Sequence, residues 1–258
     1  MDSLLLTGIA AVLGLSVGSF LNVGVARWPD GESVVKPRSR CPGCDAGLRW
    51  FEVVPVLSYL VLRGRCAHCG DRLSAAYPLV EVAVALIWAG MASRWGVQPE
   101  AVRGGIFFTV LLGIALTDAR KYIIPDQLSL GGAMVGLAMA PLAGGPSLTD
   151  ALLGAAVGFG TLWVVAALGR IVFGKDAMGG GDVKMMGMIG AFLGPAGVLL
   201  TLFAGALLGS IIFGPIAFRT GRLVPFGIFL AFAAGIAYGW GDTMIGWYTG
   251  AILGINGI

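Results

Sequence analysis

Charge is what this chain lacks most. Only 12% of its 258 residues are Asp, Glu, Lys or Arg, about half of the roughly 25% found in an ordinary soluble domain. Together with a hydrophobic content of 57% and recurrent apolar runs of membrane-spanning length, that scarcity excludes a soluble globular protein. A cleavable signal peptide is not expected, because Met1-Asp2-Ser3 puts no positive region ahead of the first apolar run, and that run is long enough to span. No internal repeat of the transporter kind is evident. The one glycine-rich run does not follow a strand, which excludes a dinucleotide-binding fingerprint, and no nucleic-acid partner is expected. Histidine occurs once and cysteine four times.

Glycine, by contrast, is abundant at 43 residues, as suits spanning helices that pack closely through small side chains. The pattern predicts an all-α polytopic membrane protein with eight spans, at 4–26, 77–95, 102–118, 127–142, 150–171, 183–196, 197–218 and 224–241. A short amphipathic tail, Asp242 to Ile258, is expected to follow. The pair at 183–218 is divided only by the turn signal Gly194-Pro195. Three regions result: a first transmembrane helix (1–26), a polar module (27–76) and a transmembrane domain (77–258). Placing 27–76 in the cytoplasm puts the N-terminus outside and gathers 15 of the 17 basic residues on the inner side, with only Arg94 and Arg103 outside. Membrane lipid is therefore an expected partner along most of the chain.

A polar module of about fifty residues is too small to bury a sizeable core unaided. All four cysteines fall in it, as Cys41-Pro42-Gly43-Cys44 and Cys66-Ala67-His68-Cys69. Two C-x-x-C turns, separated by 21 residues, aim four thiolates at one point and supply the tetrahedral set that zinc prefers. A reducing cytoplasm disfavours disulfides; free thiols or a redox-active pair are the alternatives. Four protein ligands leave no open coordination position, so the zinc is expected to be structural. His68 reads either as a solvent-facing spacer or as a replacement for one thiolate.

Two acids stand out in the apolar part. Asp118 ends one span within Leu116-Thr117-Asp118-Ala119-Arg120, and Asp182 follows Gly179-Gly180-Gly181 at the start of another. A carboxylate in a span costs about 2.5–3.5 kcal/mol at a helix centre on insertion scales, so it is functional by default. Two of them, with glycines that let a backbone pass closely, suggest an aspartyl protease within a membrane, Asp118 and Asp182 forming the pair only through helix packing. The glycine run is expected to be broken or frayed backbone beside a water-accessible cleft. Asp126 reads as a helix N-cap, or as a group that orients the pair or binds substrate; Lys184 either tunes Asp182 or snorkels. Glu32, Asp45, Glu52 and Asp71 are expected to be solvated surface charges that could also meet a basic substrate segment.

The stretch Pro37-Arg38-Ser39-Arg40-Cys41-Pro42-Gly43-Cys44, then Trp50, Pro55, Ser58-Tyr59-Leu60, Arg63-Gly64-Arg65-Cys66 and Tyr77-Pro78-Leu79-Val80-Glu81, resembles the cytoplasmic domain of bacterial type IV prepilin peptidases. Gly18-Ser19-Phe20-Leu21-Asn22 and Val224-Pro225-Phe226-Gly227 continue the resemblance. Gly179-Gly180-Gly181-Asp182-Val183-Lys184 is similar to that family's Gly-x-Gly-Asp motif, and Asp118 with Ile124-Pro125-Asp126 is similar to its first aspartate motif. Two positions depart: Glu52-Val53-Val54-Pro55 stands for the usual Glu-Asn-Ile-Pro, and Ile228 follows Gly227 where a second proline is usual. The resemblance implies a bifunctional inner-membrane enzyme that cleaves the basic leader of prepilins and pseudopilins on the cytoplasmic side. It then methylates the new N-terminus with S-adenosylmethionine. A peptidase without methyltransferase activity is the nearest alternative. An ion-coupled transporter would not account for the cysteine module, and a non-enzymatic scaffold would leave both aspartates unexplained.

Overall fold

A computed structural model describes residues 3–142, 144–174, 178–220 and 226–251. Helices dominate: α1 (Ser3–Arg27), the short α2 (Leu57–Val61), α3 (Ala76–Trp95), α4 (Pro99–Lys121), α5 (Asp126–Met139), α6 (Leu148–Phe173), α7 (Gly180–Thr220) and α8 (Phe226–Ala251). Among the described residues the only β pairing is two isolated bridges in the cysteine module. The all-α polytopic architecture holds, with six helices long and apolar enough by length and composition to cross a membrane.

The difference from eight spans has two physical origins. The helix α5 has 14 residues, roughly 21 Å at 1.5 Å per residue, which is short of the ~30 Å hydrocarbon core. The segments expected at 183–196 and 197–218 run together as α7, broken at Gly194, whose φ of 69° and ψ of −178° are not helical. Only glycine takes such angles readily, so the break sits one residue before Pro195. The tail expected from Asp242 instead continues α8 to Ala251. Residues 252–258 lie outside the described residues, as do Val224 and Pro225 of the last expected span and the basic residues Lys175 and Arg222.

Two compact units are recognisable, Met1–Thr109 and Val110–Ile258. In the first, α1 packs along α3. Gly14 and Gly18, one helical turn apart, make this possible: a Cβ on either would stand 2.7 Å from a backbone Cα of α3, at Ala85 and Glu81 respectively. In the second unit the first half of α7 is the core. Met185, Met186, Met188, Ile189, Ala191 and Phe192 are all fully buried, enclosed by α5, α6 and α8. The approach of α6 again relies on glycines four apart, since a Cβ on Gly154 would collide with the Gly190 carbonyl oxygen and one on Gly158 with that of Met186. With lipid tails as apolar as leucine, such close packing replaces hydrophobic burial as the source of helix association.

This packing distinguishes two glycines of one helix. Gly158→Ala is expected to destabilise the detergent-solubilised protein by about 1–3 kcal/mol, the usual cost of overpacking. Gly160, with nothing within 4 Å of an added Cβ, is expected to gain up to about 1 kcal/mol as alanine, from helix propensity. Thermal unfolding of the two variants, read side by side, checks the opposite signs.

Candidate active site and metal centre

The second unit brings together the ends of α4, α7 and α8. Asp118 lies one turn before the end of α4 and is only 6% exposed. Its Oδ2 accepts a hydrogen bond from the Ile228 backbone N–H at 3.2 Å, in the first turn of α8, where helix N–H groups have no intrahelical partner. Gly227 beside it admits the carboxylate: a Cβ there would lie 2.9 Å from Asp118 Oδ2 and 3.0 Å from Ile124 Cδ1. Ile124 also fills the space in front of Gly181, where a Cβ would meet it at 2.9 Å. One isoleucine thus packs against both the start of α8 beneath Asp118 and the glycine preceding Asp182.

Asp182 sits in the first turn of α7 and is partly buried. Its backbone N–H donates to the Gly179 carbonyl at 3.2 Å, and its carboxylate faces the Gly179 backbone N–H. The two aspartates, 64 positions apart in sequence, are close enough that the charge of Asp118 acts on Asp182. The expected fraying of the glycine run is narrower than the sequence implies, because Gly180 and Gly181 are already helical and only Gly179 lies outside α7.

Asp126 is not an N-cap. The cap position of α5 is Pro125, whose side chain has no acceptor and makes no cap hydrogen bond; its carbonyl receives the Leu128 and Ser129 N–H groups. The Asp126 carboxylate instead accepts from Lys184 Nζ at 2.7 Å, so both residues have one role in common. They tie the start of α5 to the start of α7, next to Asp182.

In the first unit, the two cysteine turns are built alike. Cys41 N–H donates to Ala46 O and Cys66 N–H to Asp71 O, while Leu48 N–H and Leu73 N–H close each loop onto Ser39 O and Gly64 O. The four sulfurs all lie within 4.8 Å of one another, with Cys41 Sγ and Cys69 Sγ 3.8 Å apart. A tetrahedron with metal–sulfur bonds of about 2.3 Å has edges of about 3.8 Å, whereas a disulfide needs about 2.05 Å. The set fits a metal ion. Backbone N–H groups of Cys69 and His68 directed at the Cys66 sulfur lower its pKa to about 6, which favours one thiolate. At Cys69 a backbone hydrogen bond at Asp71 is outweighed by burial and the neighbouring thiols, which push it up to about 12, and Cys44 is raised as well. The remaining thiolates therefore call for a cation among them. His68 is neither ligand nor free spacer: its Nδ1 lies 3.7 Å from Glu52 Oε1. Glu52 is the clear departure from expectation, for its side chain is 2% exposed rather than solvated. It turns inward because its Oε2 accepts the Arg49 N–H at 2.7 Å. Glu32, Asp45 and Asp71 are exposed as expected.

Comparison with known proteins divides the chain in a similar place. Residues 12–95 match the bacterial peptidase A24 N-terminal domain, and residues 105–214 match the type IV leader peptidase family. A protein of Myxococcus xanthus (strain DK1622), named prepilin leader peptidase/N-methyltransferase, is 43% identical over 182 residues, covering 70% of this chain and 54% of its own length. Proteins of the same name from Pseudomonas putida and Stutzerimonas stutzeri are 37% and 36% identical over 260 and 266 residues. They cover 91% and 93% of this chain and 90% and 92% of their own lengths. No solved structure matches the chain.

The Ile228 contact was not foreseen from the sequence, since any residue except proline supplies a backbone N–H. Ile228→Pro is therefore expected to leave α8 intact, proline being tolerated in a first turn. It is also expected to cost about 1 kcal/mol of unfolding stability through the lost hydrogen bond to Asp118. Ile228→Val, which keeps the donor, is expected to melt within about 0.5 kcal/mol of wild type.

Proposed function

Because the chain belongs to the type IV leader peptidase family, we propose that Asp118 and Asp182 are its catalytic pair, cutting prepilin and pseudopilin leaders at the inner face of a bacterial inner membrane. The chain is a leader peptidase with N-methyltransferase activity, as its full-length relatives are named. The observation that carries the residue assignment is the convergence of these two carboxylates at helix ends, beside glycines without side chains to obstruct a substrate strand.

Hydrolysis by such a pair needs one carboxylate ionised and one protonated. The ionised group takes a proton from water as the water oxygen bonds to the scissile carbonyl carbon, and the protonated group donates its proton to the carbonyl oxygen. Collapse of the tetrahedral species breaks the C–N bond: the proton held by the first carboxylate passes to the leaving amine, and the second carboxylate takes back a proton from a hydroxyl of the tetrahedral carbon, which restores the pair. Backbone donors at Ile228 and Gly179 hold the two side chains in place. The Lys184–Asp126 pair holds the two helix starts that carry the site.

Zinc is the metal proposed for Cys41, Cys44, Cys66 and Cys69, as a structural ion for a module too small to hold itself together. The residue blocks 1–26, 27–76 and 77–258 are read as anchor helix, zinc module and peptidase domain. The charge bias of the loops supports an outside N-terminus with the zinc module and both aspartates on the cytoplasmic side. S-adenosylmethionine would supply a methyl group to the new N-terminal amine, whose nitrogen bonds to the methyl carbon as the C–S electron pair returns to sulfur and a proton leaves to solvent.

Mass spectrometry of a prepilin incubated with the purified enzyme and S-adenosylmethionine tests the assignment. Wild type is expected to remove the leader and add one methyl group. Asp118→Asn and Asp182→Asn are each expected to slow cleavage by about a thousandfold or more; full cleavage by both would overturn the pair. Elemental analysis is expected to find one zinc per wild-type chain and a substoichiometric content in Cys66→Ser, with the polar module unfolding when the metal is chelated.

A further inference from the structure

One stretch of the polar module is not built as a water-facing loop. Between Trp50 and Val61 six large apolar side chains are exposed, those of Trp50, Phe51, Val53, Leu57, Leu60 and Val61, the last two at 65% and 71%. Leu57, Leu60 and Val61 stand at i, i+3 and i+4 and so share one face of α2. Ser58, Tyr59 and Leu62 turn the other way and line a cavity shared with α1, the start of α3 and the cysteine loop. One face of α2 is therefore seated on the protein, and the other has no part of the chain over it among the described residues.

The depth of this segment follows from Glu81. The helix α3 has 20 residues, about 30 Å at 1.5 Å per residue, no more than the hydrocarbon thickness it has to cross. Glu81, five positions in from Ala76, stands about 8 Å inside that end. Its Oε2 accepts the Val56 N–H at 2.7 Å, and Val56 leads directly into α2. Val56 keeps this contact at φ 60° and ψ −48°, a positive-φ turn costly for a β-branched residue, with the Leu57 N–H donating across it to Pro55 O. Leu79 and Leu86, exposed on α3 to either side of Glu81 along the axis, mark lipid-facing surface at that level.

Backbone bonding and charge agree with this depth. The N–H groups of Ser58, Leu60 and Leu62 meet Val54 O, Val56 O and Ser58 O, and the Ser58 hydroxyl returns to Val54 O at 2.7 Å, so these polar groups need no water. Arg49 precedes the segment, and Arg63 and Arg65 follow it, all three exposed. Neither Arg63 nor Arg65 makes an ion pair among the described residues. Long basic side chains at such flanks reach for headgroups while their stems stay with apolar surface.

We propose that residues 50–61 form an interfacial anchor, with Leu57, Leu60 and Val61 among the acyl chains of the leaflet that holds the start of α3, and Arg49, Arg63 and Arg65 on anionic lipid headgroups. The proposal rests on the spanning reading of α3, and in the topology given above that leaflet is the cytoplasmic one. An apolar helix face sunk about 5–10 Å into the boundary between headgroups and chains is how such elements bind. The anchor holds the cysteine module against the bilayer instead of leaving it tethered at its two ends alone.

The test places a photoreactive diazirine amino acid at single positions of the zinc-loaded, full-length protein, reconstituted in vesicles of equal parts phosphatidylcholine and phosphatidylglycerol. Mass spectrometry after illumination reads what each position captures. Leu60 is expected to capture lipid, as is Leu86 on the exposed face of α3, whereas Glu32, exposed elsewhere in the module, is expected to capture water. Lipid taken at Leu60 is expected to be enriched about twofold or more in phosphatidylglycerol, and Arg63→Gln with Arg65→Gln is expected to remove the enrichment. Thermal melts and zinc content establish that each variant is folded. Lipid at Leu86 with only water at Leu60 would overturn the anchor while leaving the spanning reading of α3 intact. Capture at Leu60 of a second copy of the chain, or of an added prepilin, would overturn it in favour of a protein partner. Equal capture of the two lipids would overturn the headgroup contacts. No lipid at either position would overturn the spanning reading, and the anchor with it.

Discussion

Helices in a bilayer gain little by hiding apolar surface from one another, so this structure depends on how closely their backbones can approach. The glycines at 14 and 18 of α1, and at 154 and 158 of α6, each leave room for a neighbouring backbone that a single methyl group would displace. The consequence reaches the proposed active site. The first half of α7 is enclosed on several sides, so the helix that begins at Gly180 is fixed along its length, and Asp182 in its first turn is held by the core behind it. At the other carboxylate, Gly227 performs the same service at short range, admitting Asp118 against the α8 N-terminus.

Helix ends are the second recurring device. A membrane interior has no water to satisfy free N–H groups, and the first turns of α7 and α8 would otherwise leave several exposed. Here they serve acids instead: Ile228 donates to Asp118, and the Asp182 carboxylate faces the N–H just ahead of its own helix.

Outside the membrane domain the problem is the opposite one, too little apolar material for a core. Two turns of identical hydrogen-bond pattern set four sulfurs at tetrahedral spacing, and the loop between them turns inward through Glu52 and, by way of Val56, onto Glu81 of α3. The module is thus fastened to its membrane helices by a buried carboxylate and a strained turn.

Much of this was legible in the sequence. Scarce charge and long apolar runs determine a polytopic helical protein, and C-x-x-C spacing determines a four-sulfur cluster, because these features depend on composition and on contacts a few residues apart. The aspartates were marked by their cost in an apolar setting. The sequence did not determine that Glu52 is buried, that Asp126 pairs with Lys184 across 58 positions, or that Ile228 supports Asp118 across 110. Burial of an acid is decided by which backbone N–H groups surround it, and a backbone donor leaves no trace in residue identity. Such long-range pairings exist only once helices have packed, so tertiary structure alone decided them.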